Sequence, residues 1–357
     1  MKRIHLISLL LATILFSCGG GSEKSSEMKK KGQQYAESMK LEQEIGQRVR
    51  SMFQPLPDTA VNADNPVTPQ KVKLGKILYF DVRLSNKQTQ SCNTCHNLKT
   101  FGVDNEPKSD GDAGHKGDRN SPSVLNAALH IAQFWDGRAK DVEQQAGMPL
   151  LNPKEMGMPS EAFIVKRLKS VKLYQQFFKD AFPGEKAPIN FINIGKAIGA
   201  FERTLITPSK FDDYLKGNAG ALTLDEKTGL KTFMDVGCIT CHTGATVGGN
   251  MFQKFGVFAN YWDYTKSKDI DTGRAKQTKN DADKYMFKVP SLRNVAMTQP
   301  YFHDGSVVKL EDAVKIIAKV NLNRDLTDTE INSIVTFLKT LTGQVSADAA
   351  EEPEELK

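Results

Sequence analysis

Two short stretches constrain what this chain can fold around: "SCNTCHNL" at residues 91–98 and "GCITCHTG" at 237–244. Each sets two cysteines three apart and follows the second directly with a histidine. Three chemistries use such spacing. A zinc site needs four ligands, and two such motifs could in principle meet to supply them. A redox dithiol uses Cys-x-x-Cys in a βαβ context, which is absent here. Covalent haem attachment uses all of Cys-x-x-Cys-His: the cysteines bond the porphyrin edge and the histidine turns beneath the ring to ligate iron. The chain has five cysteines: Cys18, Cys92, Cys95, Cys238 and Cys241. Once Cys18 is set aside, the two motifs use all the rest.

Cys18 closes an N-terminal segment, "MKRIHLISLLLATILFSC". A basic start precedes an apolar run from Ile4 to Phe16, too short to span a bilayer comfortably and suited to an export signal. "LFSC" resembles a bacterial lipobox, with Phe16 atypical at its second place. Residues 1–18 are therefore expected to be a lipoprotein signal peptide. Cys18 would carry the acyl chains that attach the mature chain to a membrane through buried methylenes. A plain secretory signal cut nearby would leave Cys18 free. On both readings the body is expected on the periplasmic side of the cell envelope. Free thiols are a liability in such a compartment, and thioether bonds remove it. The expectation is two covalently bound haem c groups, with His96 and His242 as proximal iron ligands.

Composition is that of an ordinary soluble chain: 357 residues, 39% hydrophobic and 25% charged. Net charge is +6, and losing Lys2 and Arg3 with the signal leaves +4. With no basic stripe interleaved with aromatics, nucleic acid is excluded as a partner. Residues 19–44 begin Gly-, Ser- and Lys-rich and read as a flexible tether. Residues 344–357 read as an acidic, disordered tail. Between them the periodicities are helical. "TPQKVKLGKILYF" places Val72, Leu74, Ile77 and Leu78 near one face. Ser160 is a candidate N-cap for one long helix ending at Pro183-Gly184. "NFINIGKAIGAFERTL" sets Gly195 and Gly199 four apart, where close packing fits. Thr223 with Glu226, and Thr327 with Glu330, are capping boxes. Gly343 suits a C-terminal cap. The fold class is mainly α: two cytochrome c-like haem domains with long loops, at 45–205 and 206–343. The loops are tolerable if each haem supplies much of its own domain's core.

Six histidines are present, and His5 falls in the signal. His115, in "DAGHKGDRNSPS", lies in a Gly-rich polar loop able to carry a ligand that swings on and off. His130 reads as a packing or helix-surface histidine. His303 could hydrogen-bond a haem propionate or stabilise its loop. Glu155, in "PLLNPKEMGMP", reads by itself as a solvated loop residue.

Three longer stretches speak together: "LGKILYFDVRLSNKQTQSCNTCHNL", "GHKGDRNSPSVLNAALHIAQFWDGRAKDVEQQAGMPLLNPKEMGM" and "KVPSLRNVAMTQPYFHDGSVVKLEDAV". Over about residues 45–343 the chain resembles the bacterial dihaem cytochrome c peroxidases. The resemblance implies two-electron reduction of hydrogen peroxide to water at the haem on Cys92, Cys95 and His96. It makes His115 the distal histidine that leaves iron on activation. It makes Glu155 the acid/base, Gln145 a polar neighbour and Trp135 an electron relay between the haems. It matches Asn120 and the carbonyls of Thr298 and Pro300 to a Ca2+ site, chemistry that suits a hard cation. The haem on Cys238, Cys241 and His242 would take electrons singly from a small donor protein, a cytochrome c or cupredoxin. A homodimer is also suggested.

One position departs from the family. The usual distal methionine of the second haem aligns with Ile317, which cannot ligate iron. Met286 and Met297 are upstream substitutes, with core packing the alternative role for both. Ile317 keeps open a protein-modifying oxidase, like the relative that matures tryptophan tryptophylquinone, although that enzyme uses tyrosine there. A pure dihaem electron carrier is the reading from a different class.

Overall fold

The computed structural model describes residues 20–357, with side chains from residue 26, so the expected signal and Cys18 lie outside the described residues. Helices, turns and long loops make up the chain. Among the described residues the only sheet is an antiparallel pair, Phe252–Lys254 with Met286–Lys288. No described helix is long and apolar enough to cross a membrane.

The first core is organised around three crossing helices. Thr68 caps Pro69–Phe80 by accepting from the Lys71 N–H, and Pro69 sits in the first turn, where its missing N–H is harmless. That helix buries Leu74, Ile77 and Leu78 against Phe191–Glu202. Gly75 makes the crossing possible, since a Cβ there would enter the Ala197 carbonyl. Gly195 and Gly199 bring the other side of Phe191–Glu202 onto Val142–Leu151. A Cβ on Gly195 would stand 2.5 Å from the Glu143 carbonyl oxygen. The second core pairs Leu224–Val236 with Asp328–Lys339, and both expected capping boxes are formed. Gly237, in the left-handed region at φ 106°, ends the first of these and hands the chain to Cys238.

Several expectations need correcting. The long helix from Ser160 is two, Glu161–Lys169 and Lys172–Ala181, although Ser160 does cap the first. In a continuous helix Tyr174 would sit about 240° around from Leu168. The break at Ser170–Val171 lets both be buried in one core. Gly343 caps nothing: Asp328–Lys339 ends at Thr340, and Gly343 instead packs against the Thr207 and Pro208 carbonyls. The supposed tether is helical, Gly20–Met52. Its last turns carry Ile45 and Val49 into the second core with Phe53. Glu42 accepts from the Tyr214 hydroxyl at 2.6 Å, and buried Lys227 donates to Ser38 Oγ at 3.0 Å. Composition hid this because only the stretch beyond Ser38 has an apolar stripe.

The tail is likewise ordered, and it docks on the other unit. Val345, Ala349, Ala350 and Leu356 pack against the first core. Glu355 pairs with Lys73 at 2.8 Å and Glu351 with Lys99 at 2.9 Å. Its acids read as solvated in isolation, but lysines of the first unit meet them. The ends of the chain are thus exchanged: residues 45–53 serve the second core, and residues 345–356 serve the first. Exposed ion pairs add little, so the apolar contacts carry most of the docking. Deleting residues 344–357 should destabilise the first unit by about 1–3 kcal/mol, the scale of burying one or two aliphatic side chains. Thermal denaturation at low and high salt should show the loss with little salt dependence.

The loops facing each other between the units are built alike. Asn126 and Asn294 both adopt left-handed φ, and each opens a short 3-10 turn. Both side chains donate to Thr207 Oγ1 at 2.9 Å. Phe134 and Phe302 then have positive φ, as do Gly137 and Gly305. Bridges Gln133↔Ala139 and Tyr301↔Val307 close the two turns. Trp135 and His303 occupy equivalent places, their rings 6.3 Å apart and edge to face. At Gly137 a Cβ would strike Phe252, and at Gly305 it would strike Pro107. Each turn therefore presses on the opposite unit.

Charge locks this contact. Arg119 donates to Asp136 at 2.6 Å within its own unit and to Asp271 of the other at 2.7 Å. All three side chains are largely buried. Arg119→Ala would leave Asp136 to Arg138 alone at 3.1 Å and Asp271 to Lys276 alone at 3.0 Å, unlinking the units at a loss of about 2–3 kcal/mol, below the cost of a fully unpaired buried charge. Chemical denaturation should show it, with the midpoint falling and the units unfolding less cooperatively.

Candidate active site

Two cavities open beside the two motifs. Cys92, Cys95 and His96 line the first; Cys238, Cys241 and His242 line the second. All four cysteines are unpaired and partly exposed. A short helix, Cys92–Cys95, carries the first pair and is closed by a capping box between Ser91 and Thr94. The carbonyl of His96 accepts from the Tyr79 hydroxyl at 2.6 Å. Burial lowers the pKa of both histidines, that of His242 to about 4. Each ring is therefore neutral, the form that binds metal. His242 Nδ1 lies 3.1 Å from the Val247 carbonyl; as an N–H it donates there and leaves Nε2 as the ligating atom. Gly248 admits this geometry, since a Cβ would come within 3.0 Å of His242 Nδ1. Paired thiols and a neutral imidazole at the rim of each cavity fit a covalently held haem. Among the described residues no cluster of three or more His, Cys, Asp or Glu could hold a metal ion.

The first cavity is polar. Glu155 and Gln145 both line it, the former from the turn after Val142–Leu151, the latter from within that helix. Burial raises the Glu155 pKa, partly opposed by the Arg138 charge and by Asn152, which donates to Oε1 at 2.8 Å. Arg138 is fixed over the Phe134 ring at 3.4 Å and pairs with Asp136 at 3.1 Å. Trp135 lines both cavities, and its Nε1 donates to the Asn120 carbonyl at 2.9 Å. Lys276 and Gln277 reach the first cavity from the second unit.

His115 is not brought in. It is exposed in the loop closed by the bridge Asp110↔Lys116, outside the residues that line the cavity. Sequence reasoning also missed Glu202. It is buried, it lines the first cavity, and burial followed by the nearby Glu143 pushes its carboxyl up to about 8. Arg203 beside it is committed to Glu143, with both bonds at 2.7 Å. A signal existed: Glu202 lies four residues after Ile198, on a helix whose other face is apolar.

The second cavity is mostly apolar. Ile317 lines it together with Leu310, Ala313 and Val314 of the same helix, Leu310–Leu322. Neither proposed methionine does. Met297 is exposed on a surface turn, and Met286 lies in the strand Met286–Lys288 outside the lining. His130 is more than a packing residue: it lines this cavity, as does His303, and the Nε2 of each is buried without a partner. Asn120, Thr298 and Pro300 share a wall of the same cavity.

Comparison with known proteins gives the family. The family model for di-haem cytochrome c peroxidase matches residues 69–220. A cytochrome c551 peroxidase of Nitrosomonas europaea is 45% identical over 80% of this chain and 84% of its own length. One from Pseudomonas aeruginosa is 44% identical over 82% and 85%. Among solved structures, a MauG-like protein associated with microbial copper homeostasis superimposes with a TM-score of 0.73 at 30% identity, covering 84% of this chain and 97% of that one. The chain belongs to the di-haem cytochrome c peroxidase family. It is an oxidoreductase that uses peroxide as electron acceptor, and its mainly α architecture carries two haem c groups.

Proposed function

We propose that peroxide is reduced in the cavity beside Cys92, Cys95 and His96, with electrons entering at the second haem from a small redox protein. The observation that carries this reading is the contrast between the cavities: an acid with a raised pKa lines the polar one, and aliphatic side chains dominate the other. A haem held by Cys92, Cys95 and His96 would supply the iron chemistry and the redox equivalents. Glu155, held by Asn152, takes the proton from the inner peroxide oxygen and returns it to the outer one, so that the leaving group departs as water. Gln145 orients the substrate from the same wall. His115, exposed and outside the cavity lining, would not compete with peroxide for a haem held there. Trp135, in the wall common to both cavities, is placed to relay electrons. Asn120, Thr298 and Pro300 offer amide and carbonyl oxygens to a Ca2+ at the same wall, and Cys18 is the proposed lipid anchor on the periplasmic side.

Glu155→Gln should lower peroxide turnover roughly 10²- to 10⁴-fold with little change in fold. Since Glu155 must be ionised to accept the proton and burial raises its pKa, wild-type turnover should fall as pH drops through that raised pKa, higher than for an exposed glutamate. A pH profile of turnover with a reduced cytochrome c would check this, and Glu155→Asp should retain the acidic limb. The absence of turnover in the wild type, before and after half-reduction, would leave the electron-carrier reading.

Ile317, Leu310, Ala313 and Val314 would face a haem held in the second cavity, and none of them can ligate iron. Met297→Ala should leave that haem's near-infrared spectrum unchanged. Ile317→Met should create a methionine-to-iron charge-transfer band and raise its potential, as seen by spectroelectrochemical titration.

A further inference from the structure

Lys288 ends the strand Met286–Lys288 and points its long side chain into the second cavity, which it lines. It is 7% exposed. Its backbone is tied to the wall between the cavities, its N–H donating to the Trp135 carbonyl at 2.7 Å. Its ammonium has no carboxylate partner; its one side-chain contact is with His130 Nδ1, at 3.3 Å. Burial lowers its pKa to about 8 with no carboxylate near enough to oppose it. His130 is held in turn by Gly249, where a Cβ would collide with the imidazole, and its Nε2 is buried and unpaired. Arg293, the other buried cation lining the cavity, is already paired with Asp212 at 2.6 Å.

A buried cation without a counter-charge is costly, as is a buried ring nitrogen without a hydrogen bond. Together they describe a site for an anion. Haem carries two propionates, and its attachment at Cys238 and Cys241 confines it to this cavity. Iron ligation is the competing role, but the placement argues against it. A Cβ on Gly249 would strike His130, and one on the adjacent Gly248 would come within 3.0 Å of His242 Nδ1. His130 therefore sits toward the proximal histidine, not across the cavity from it.

We propose that Lys288 and His130 form the carboxylate-binding cradle for a propionate of the second haem. Lys288 supplies the counter-charge and His130 a hydrogen bond. Because Lys288 also hangs from Trp135, the cradle ties that propionate to the wall between the two haems. The proposal rests on the second motif being a haem anchor. A pyridine haemochrome assay giving two haems per chain tests that premise separately.

The experiment is a spectroelectrochemical titration of the full haem-loaded chain, with low-temperature electron paramagnetic resonance of the oxidised protein. Losing the positive charge should favour the oxidised second haem. In Lys288→Gln the ratio of reduced to oxidised second haem at a fixed potential should fall at least tenfold, a 59 mV shift for a one-electron couple. The g-values of both haems and the potential of the first should not move, and Lys288→Arg should restore most of the shift. His130→Asn should give a smaller shift in the same direction and move the propionate bending mode in resonance Raman spectra. It provides the test should Lys288→Gln fail to fold. An unchanged second-haem potential in both variants overturns the proposal. So does a change in the second haem's g-values, which would make Lys288 or His130 an iron ligand instead.

Discussion

Everything functional in this chain depends on one wall. It is made where the turn carrying Trp135 meets the turn carrying His303, and Trp135 lines both cavities from it. The wall cannot drift, because each turn's glycine lets it press on the opposite unit and Arg119 is bonded to acids of both. A buried guanidinium between two buried carboxylates is demanding chemistry. Moving Arg119 leaves each acid only its own second cation, Arg138 for Asp136 and Lys276 for Asp271, and breaks the link between the units. The geometry between the haems is thus set by an electrostatic constraint and not by apolar packing alone.

The two sides of the wall then diverge. The same turn scaffold, with the same positive-φ phenylalanine and glycine, presents an indole to both cavities from one copy and an imidazole to the second cavity from the other. Polar groups collect around the first motif: Glu155, Gln145, Arg138 and the buried Glu202. Around the second, aliphatic residues from Leu310–Leu322 face the cavity, and its few buried polar groups include Lys288, His130 and His303. Proton handling suits the first environment. A site that only passes electrons gains from the second, where little needs to rearrange when charge moves.

The exchanged ends bear on the same geometry. The N-terminal helix closes the second core and the C-terminal tail closes the first, so each unit is completed by a segment from beyond its neighbour in the sequence. Composition could not show this. The tail's acids read as solvated because their lysine partners lie more than 240 residues away in the chain. The N-terminal helix was hidden by its first half, where a Gly- and Lys-rich stretch precedes the apolar stripe. The doubled turn was equally hard to see: its copies share only a few residues, and their likeness lies in backbone angles.

What the sequence determined by itself was local chemistry. Cys-x-x-Cys-His names the cofactor, and capping boxes, paired glycines and helical periodicities place most helices, because each is decided within a few residues. The resemblance added Glu155, Gln145 and Trp135, which the fold does bring to the cavities. Only the tertiary structure decided what depends on distant partners. It left His115 outside the first cavity, brought Glu202 into it and kept Met286 and Met297 out of the second. It also set Lys288 beside His130, 158 positions apart, with no acid between them. Burial and pairing are properties of a side chain's surroundings, and those surroundings exist only once both units have closed on each other.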